Sequence, residues 1–143
     1  MSIINYKYLF MKESFIEQSI EERRRSMDEW RDLKRMTRAL SGVARLTIVY
    51  HLARHEAVTV SDLTNKLSIS QPLVSWHLRK LRKAGLIETN RSGRQVYCSL
   101  NFERFKQYLH RLESLIDPTT ISTHPVPIGA ALIEADMGSE DDA

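Results

Sequence analysis

Cysteine is almost missing from this sequence. Its 143 residues include one, Cys98, which excludes an intrachain disulfide and any metal cluster built on several thiolates. Glycine and proline are scarce, five and four residues respectively. Glu13 to Leu40 holds neither, so that stretch is predicted to form one long helix or two consecutive ones. No apolar run approaches the roughly 20 residues that span a bilayer. No basic-then-apolar leader marks export, so a cytoplasmic protein without a membrane partner is expected. A glycine-rich phosphate loop, a complete metal shell and a nucleophile–base pair are all missing, which argues against an enzyme, a cofactor or a resident metal. The length supports one domain with a modest core and appendages, to which dimerisation would add buried surface.

Charge is plentiful but unevenly placed. All 21 Lys and Arg precede residue 117 together with 12 of the 18 acids, leaving +9 on residues 1–116 and −6 on residues 117–143. A basic body is the electrostatic footprint of a nucleic-acid binder. The tail, 118–143, carries Pro118, Pro125 and Pro127 and closes on Gly-Ser-Glu-Asp-Asp-Ala; it is expected to be flexible.

The most informative segment runs from Ser70 to Arg94. Ser70 is the predicted N-cap of a helix with Pro72 in its first turn, where a missing N–H costs nothing. At about 100° per residue, Val74, Leu78 and Leu81 form one aliphatic stripe. Pro72, Trp76, Arg79 and Lys83 fall opposite, with Ser75 on the flank. Gly85 is placed to end the helix in a left-handed conformation, and Leu86-Ile87 begins a strand. Upstream, a shorter helix is expected over Ser61–Leu67, capped by Thr59 or Ser61, with Asp62 favouring its dipole and Leu63 and Leu67 facing inward. The link Ser68-Ile69-Ser70 has the length of a helix-turn-helix connection. Downstream, Ile87–Asn90 and Gln95–Leu100 flank Arg91-Ser92-Gly93-Arg94, a hairpin signal. Gln71 to Arg94 carries six cations against one acid, Glu88. Two readings follow: a face that fills a nucleic-acid groove, or a solvated charged face with Trp76 folded back over a strand.

These residues carry a resemblance. Ala39 to Asn101, with Ala39-Leu40-Ser41, Arg45-Leu46, Gln71…Val74-Ser75-x-His77-Leu78, Ala84-Gly85-Leu86 and a basic-flanked wing glycine, resembles the ArsR/SmtB family of winged-helix repressors. The resemblance implies a homodimer that binds a palindromic operator and releases it on a signal, with dimer contacts from the first and last helices. It also allows the family's metal sites to be checked. The positions of its Glu-Leu-Cys-Val-Cys-Asp-Leu motif are Ala57 to Leu63 here, so both thiolates are replaced by hydroxyls, Thr59 and Ser61, poor ligands for soft metals. Of the site on the last helix, His110 and Glu113 fit one pair, while Tyr97 and Ser99 stand where the other is needed. Half a site falls short of the three or four ligands zinc takes. His51 and His55 have helical metal-site spacing, but their helix reads as a packing element. His77 lies at the edge of the apolar stripe, where a backbone bond is expected.

The expected fold is mainly α with a β-hairpin wing (α+β), a winged helix-turn-helix. Residues 1–38 form an arm and helical extension, 39–101 the DNA-binding domain, 102–117 a C-terminal dimerisation helix, and 118–143 the acidic tail. Double-stranded DNA is the expected partner, read through helix 71–84 and wing 87–100 by Ser70, Gln71, Pro72, Ser75, Trp76, Arg79, Lys83, Arg91 and Arg94. Dimerisation is assigned to Ile16, Ile20, Met27, Trp30 and Leu33 with Phe105, Leu109 and Leu112; the inducer is unknown. Glu21 and Arg25 are expected to pair along the first helix. Tyr6 to Phe10 is open to three readings: an arm, a packed strand, or sequence before a true start at Met11. The alternative function is a winged helix that binds only protein.

Overall fold

The computed structural model describes residues 3–117 and Thr119; the acidic tail, apart from Thr119, lies outside them. The element order is α1 (Ile3–Leu40), α2 (Val43–Leu52), β1 (Val58–Thr59), α3 (Val60–Leu67), α4 (Gln71–Lys83), β2 (Ile87–Ser92), β3 (Gln95–Leu100) and α5 (Phe102–Ser114). The chain divides at Asp32. The described residues before it, Ile3 to Arg31, form the earlier part of α1. That helix includes Tyr6–Phe10, which are therefore not a packed strand. On its surface Glu21 pairs with Arg24 at 2.8 Å, one residue short of the expected Arg25 partner.

The unit from Asp32 to Pro118 holds the remaining elements. Thr59, rather than Ser61, caps α3: its hydroxyl accepts from the Asp62 N–H at 3.1 Å, while the Asp62 carboxylate accepts from the Thr59 hydroxyl at 2.7 Å and its N–H at 3.4 Å. Such a capping box stabilises a helix start by about 1 kcal/mol. Ser68 ends α3 in a left-handed turn at φ 54°. The Ser70 side chain makes no cap bond, contrary to expectation. Pro72 in the first turn and the backbone bond from the Val74 N–H to the Ser70 carbonyl, 3.0 Å, start α4 instead. At the far end Gly85 takes φ 76°. Its N–H donates to the Arg82 carbonyl at 2.9 Å, and the Leu86 N–H donates to that of Leu81 at 3.1 Å. This crossed pair satisfies the last carbonyls and turns the chain into β2.

The sheet has three antiparallel strands in the order β1-β3-β2. The predicted hairpin is β2–β3, registered from Ile87 opposite Leu100 to Ser92 opposite Gln95. Gly93 has positive φ at the first position of its two-residue turn, as hairpin twist requires. The third strand was not expected: Val58 and Thr59 pair with Cys98 and Tyr97. Val74, Leu78 and Leu81 are buried as the helical stripe predicts, against a core that includes Ile48, Leu52, Leu63, Leu86, Ile87 and Cys98. Leu67, expected inside, is only half-buried.

Helix α5 starts at Asn101, whose side chain accepts from the Arg104 N–H. Its attachment to the last turns of α1 is polar at the rim and apolar beneath. Arg104 and Arg111 both donate to the Asp32 carboxylate, at 2.5 and 2.7 Å, and the Tyr108 hydroxyl donates to Thr37 Oγ1 at 3.3 Å. Leu33 and Met36 are buried in this unit. Leu33, assigned to dimerisation, is thus part of the core of this unit. The Asp32 side chain is only 18% exposed, so its loss leaves two partly buried guanidinium groups without their carboxylate. Asp32→Ala should cost roughly 1–3 kcal/mol in urea unfolding. The exposed partner of Arg31, changed as Asp28→Ala, should cost less than about 0.5 kcal/mol.

Candidate nucleic-acid interface

Burial of the aliphatic stripe forces the other face of α4 outward. Gln71, Pro72, Ser75, Trp76, Arg79 and Lys83 are all exposed, as are Ser70 before the helix and Arg91 and Arg94 on the wing. A groove of about 280 Å³ lies between α4 and the hairpin. Gln71, Ser75 and Arg79 line it from the helix and Arg94 from the wing. Ser70, Pro72, Trp76, Lys83 and Arg91 stand outside that lining. The groove has one cation that the site assignment omitted, Arg82, which also reaches Thr89 Oγ1 on β2 at 3.4 Å. The signal was present: Arg82 follows Ser75 by seven residues, which returns it to the same helix face. No acidic side chain lines the groove.

Trp76 is 39% exposed, and its ring partners come from α2 and α4. Its ring has the Lys80 ammonium 5.2 Å and the Arg45 guanidinium 5.8 Å from the centroid, with the His77 ring edge-on at 4.9 Å. Each such cation contact is worth about 0.5–1 kcal/mol at an exposed site. Arg45 anchors the middle of the helix. It donates to the Ala39 carbonyl at 2.5 Å and the Ser41 carbonyl at 2.9 Å, and its Nη1 lies 3.4 Å from His77 Nδ1. Gly42 permits the close approach, since a Cβ there would meet the guanidinium at 3.0 Å. His77 thus has a side-chain partner rather than the expected backbone one. Because the guanidinium has only protons to offer, Nδ1 serves as acceptor.

The remaining chemistry-bearing residues are spread apart. Among the described residues no group of three or more His, Cys, Asp or Glu is placed to hold a metal. Thr59 spends its hydroxyl in the capping box, and the Tyr97 hydroxyl donates to Gln95 Oε1 at 2.8 Å. His110 and His55 are exposed, and His51 stands edge-on to Tyr50. Cys98 is fully buried on β3, and burial pushes its thiol up to about 11. An activated thiol moves the opposite way. No described helix is long and apolar enough to cross a membrane.

A capped helix, a tight turn, an outward-facing second helix and a basic hairpin beside it define a winged helix-turn-helix. The family model described as bacterial regulatory protein, arsR family, matches residues 43–89. The cadmium resistance transcriptional regulatory protein CadC homolog of Staphylococcus aureus is 33% identical over 87 residues, covering 57% of this chain and 72% of that protein. The HTH-type transcriptional repressor SmtB of Mycobacterium tuberculosis is 43% identical over 65 residues, 46% of this chain and 47%, about half, of that one. An ArsR-like transcriptional regulator from Rhodococcus sp. RHA1 superposes with a TM-score of 0.56 at 25% identity, over 62% of this chain and 82% of that chain. The chain belongs to the arsR family of bacterial regulatory proteins. It is a DNA-binding transcriptional regulator and not an enzyme.

Burial, and then the Arg45 charge, hold the His77 pKa below its ordinary 6.5. As pH falls through 6.5 the unfolded chain takes up this proton before the folded one does, so stability is lost on acidification. His77→Gln keeps an acceptor for Arg45 but cannot titrate. Its melting temperature should drop less than the parent's between about pH 7.5 and about pH 5. Equal drops in thermal melts would show that His77 is not the linked group.

Proposed function

We propose that this chain is a cytoplasmic, homodimeric repressor that binds a palindromic double-stranded operator. The observation that carries the reading is the convergence of Gln71, Ser75, Arg79 and Arg94 on one groove with no acidic lining. Helix α4, 13 residues and about 20 Å long, suits a major groove about 12 Å wide. Within it Gln71 pairs with adenine or the backbone, and Ser75 meets either base type. Trp76 touches a thymine methyl or a sugar, and Arg79 grips guanine or phosphate. Ser70, Pro72, Lys83, Arg91 and Arg94 hold the flanking backbone or the minor groove, and Arg82 joins them.

The segments keep their proposed roles: 1–38 and 102–117 for dimerisation, 39–101 for DNA, 118–143 as acidic tail. Ile16, Ile20 and Leu109 are exposed and Met27, Trp30, Phe105 and Leu112 half-buried, which leaves apolar surface for a second copy. The cadmium-resistance relative's name does not extend to a thiolate sensor here, because Thr59 and Ser61 offer hydroxyls.

Titration of a selected operator by fluorescence anisotropy tests the reading. Arg94→Ala should weaken binding to all sequences and reduce the salt slope by about 1, whereas Gln71→Ala or Arg79→Ala should cost about 1–3 kcal/mol and relax specificity. If all three bind as the parent does, the reading face is wrong. A parent that also passes heparin without salt-dependent retention would favour the protein-binding alternative.

A further inference from the structure

The part of α1 before Asp32 carries a second pattern. Tyr6, Leu9, Glu13, Ile16, Ile20, Arg23, Met27 and Trp30 follow one another at alternating steps of three and four residues, the spacing of a coiled-coil seam. Tyr6, Leu9, Ile16 and Ile20 are 72, 50, 47 and 61% exposed. Two members of the seam are charged, with opposite signs. Glu13 and Arg23 are both exposed and have no ion-pair partner among the described residues.

The seam is symmetric about Gln18. Turned end for end, Tyr6 falls on Trp30, Leu9 on Met27, Glu13 on Arg23 and Ile16 on Ile20. Every apolar member then meets an apolar one, and each charge meets its opposite. Parallel pairing in register would instead set Glu13 against Glu13 and Arg23 against Arg23, an arrangement that like-charge repulsion disfavours. A charge within a seam specifies register and partner more than it adds stability, and here only the antiparallel register satisfies both charges. We propose that residues 6–30 of α1 pair antiparallel with the same residues of a second copy, Glu13 of each chain facing Arg23 of the other. The contact is about 36 Å long and isologous, so it closes at two copies. The pairing deepens the homodimer reading and rests on it.

The test uses the full chain. In sedimentation equilibrium, Glu13→Arg or Arg23→Glu alone should weaken self-association roughly tenfold or more, since the two-fold axis repeats each repulsion. The double variant should recover to within about threefold of the parent; circular dichroism of each variant checks that the helix is retained. Orientation is read by oxidative cross-linking. Leu9→Cys together with Met27→Cys should give a covalent dimer, whereas Leu9→Cys alone should not, being about 27 Å from its own counterpart along the axis. Cross-linking by Leu9→Cys alone would mean parallel pairing and overturn the proposal. A parent that dimerises, with charge variants unchanged and no cross-link from the double cysteine, would overturn the pairing while leaving the homodimer to another surface. A parent that stays monomeric would overturn both.

Discussion

The interface depends on one constraint: α4 must bury Val74, Leu78 and Leu81. A helix that commits one face to a core has its opposite face chosen for it. Here that face carries Gln71, Ser75, Trp76, Arg79 and Lys83, all exposed. Trp76 takes the Arg45 and Lys80 cations over its ring, whereas Gln71, Ser75, Arg79 and Lys83 make no hydrogen bond or ion pair among the described residues, so their identities are free to serve recognition. The cost of changing the buried stripe would fall on the whole unit, because the same three residues belong to the core with Leu52, Leu63 and Leu86.

Two arginines then hold that helix. At its middle, Arg45 links the carbonyls of Ala39 and Ser41 to His77 and lies over Trp76. Near its end, the Arg104 side chain packs where a Cβ on Gly85 would come to 3.3 Å, while its guanidinium bonds Asp32. The glycine therefore answers two demands at once, a positive φ and room for a cation. The Arg104 side chain thus links helix α5 and the last turns of α1 to the C-terminal cap of the reading helix.

Much of this was legible because the signals are periodic or conformational. Val74-Leu78-Leu81 at helical spacing, Gly85 past a run of cations and Gly93 between alternating strands each admit few structures. What escaped had other causes. Strand β1 is two residues long, too short for alternation to register, and it exists because Val58 and Thr59 find a partner in β3. Ser70 has a favoured capping residue type but makes no cap bond, while Thr59 pairs with Asp62 in a reciprocal box; residue type alone does not separate the two. Arg45 is distant in sequence from His77, so their contact depends on how α2 crosses α4. Leu33 has the same spacing as its neighbours in α1, yet tertiary packing rather than periodicity decides which of them are covered.

The sensing positions show how a local structural role can replace a chemical one. Thr59 stands where the resembled motif has its first cysteine, and it closes the capping box with Asp62 while pairing with Tyr97 across the sheet. A hydroxyl suits both tasks, since it can accept from a backbone N–H and donate to a carboxylate. A thiolate would meet the Asp62 carboxylate as a like charge and would have no proton to donate. Restoring a cysteine there would remove the donor half of the box before any metal could compensate. The hydroxyl at Thr59 is thus tied to how α3 begins, and α3 packs against α4.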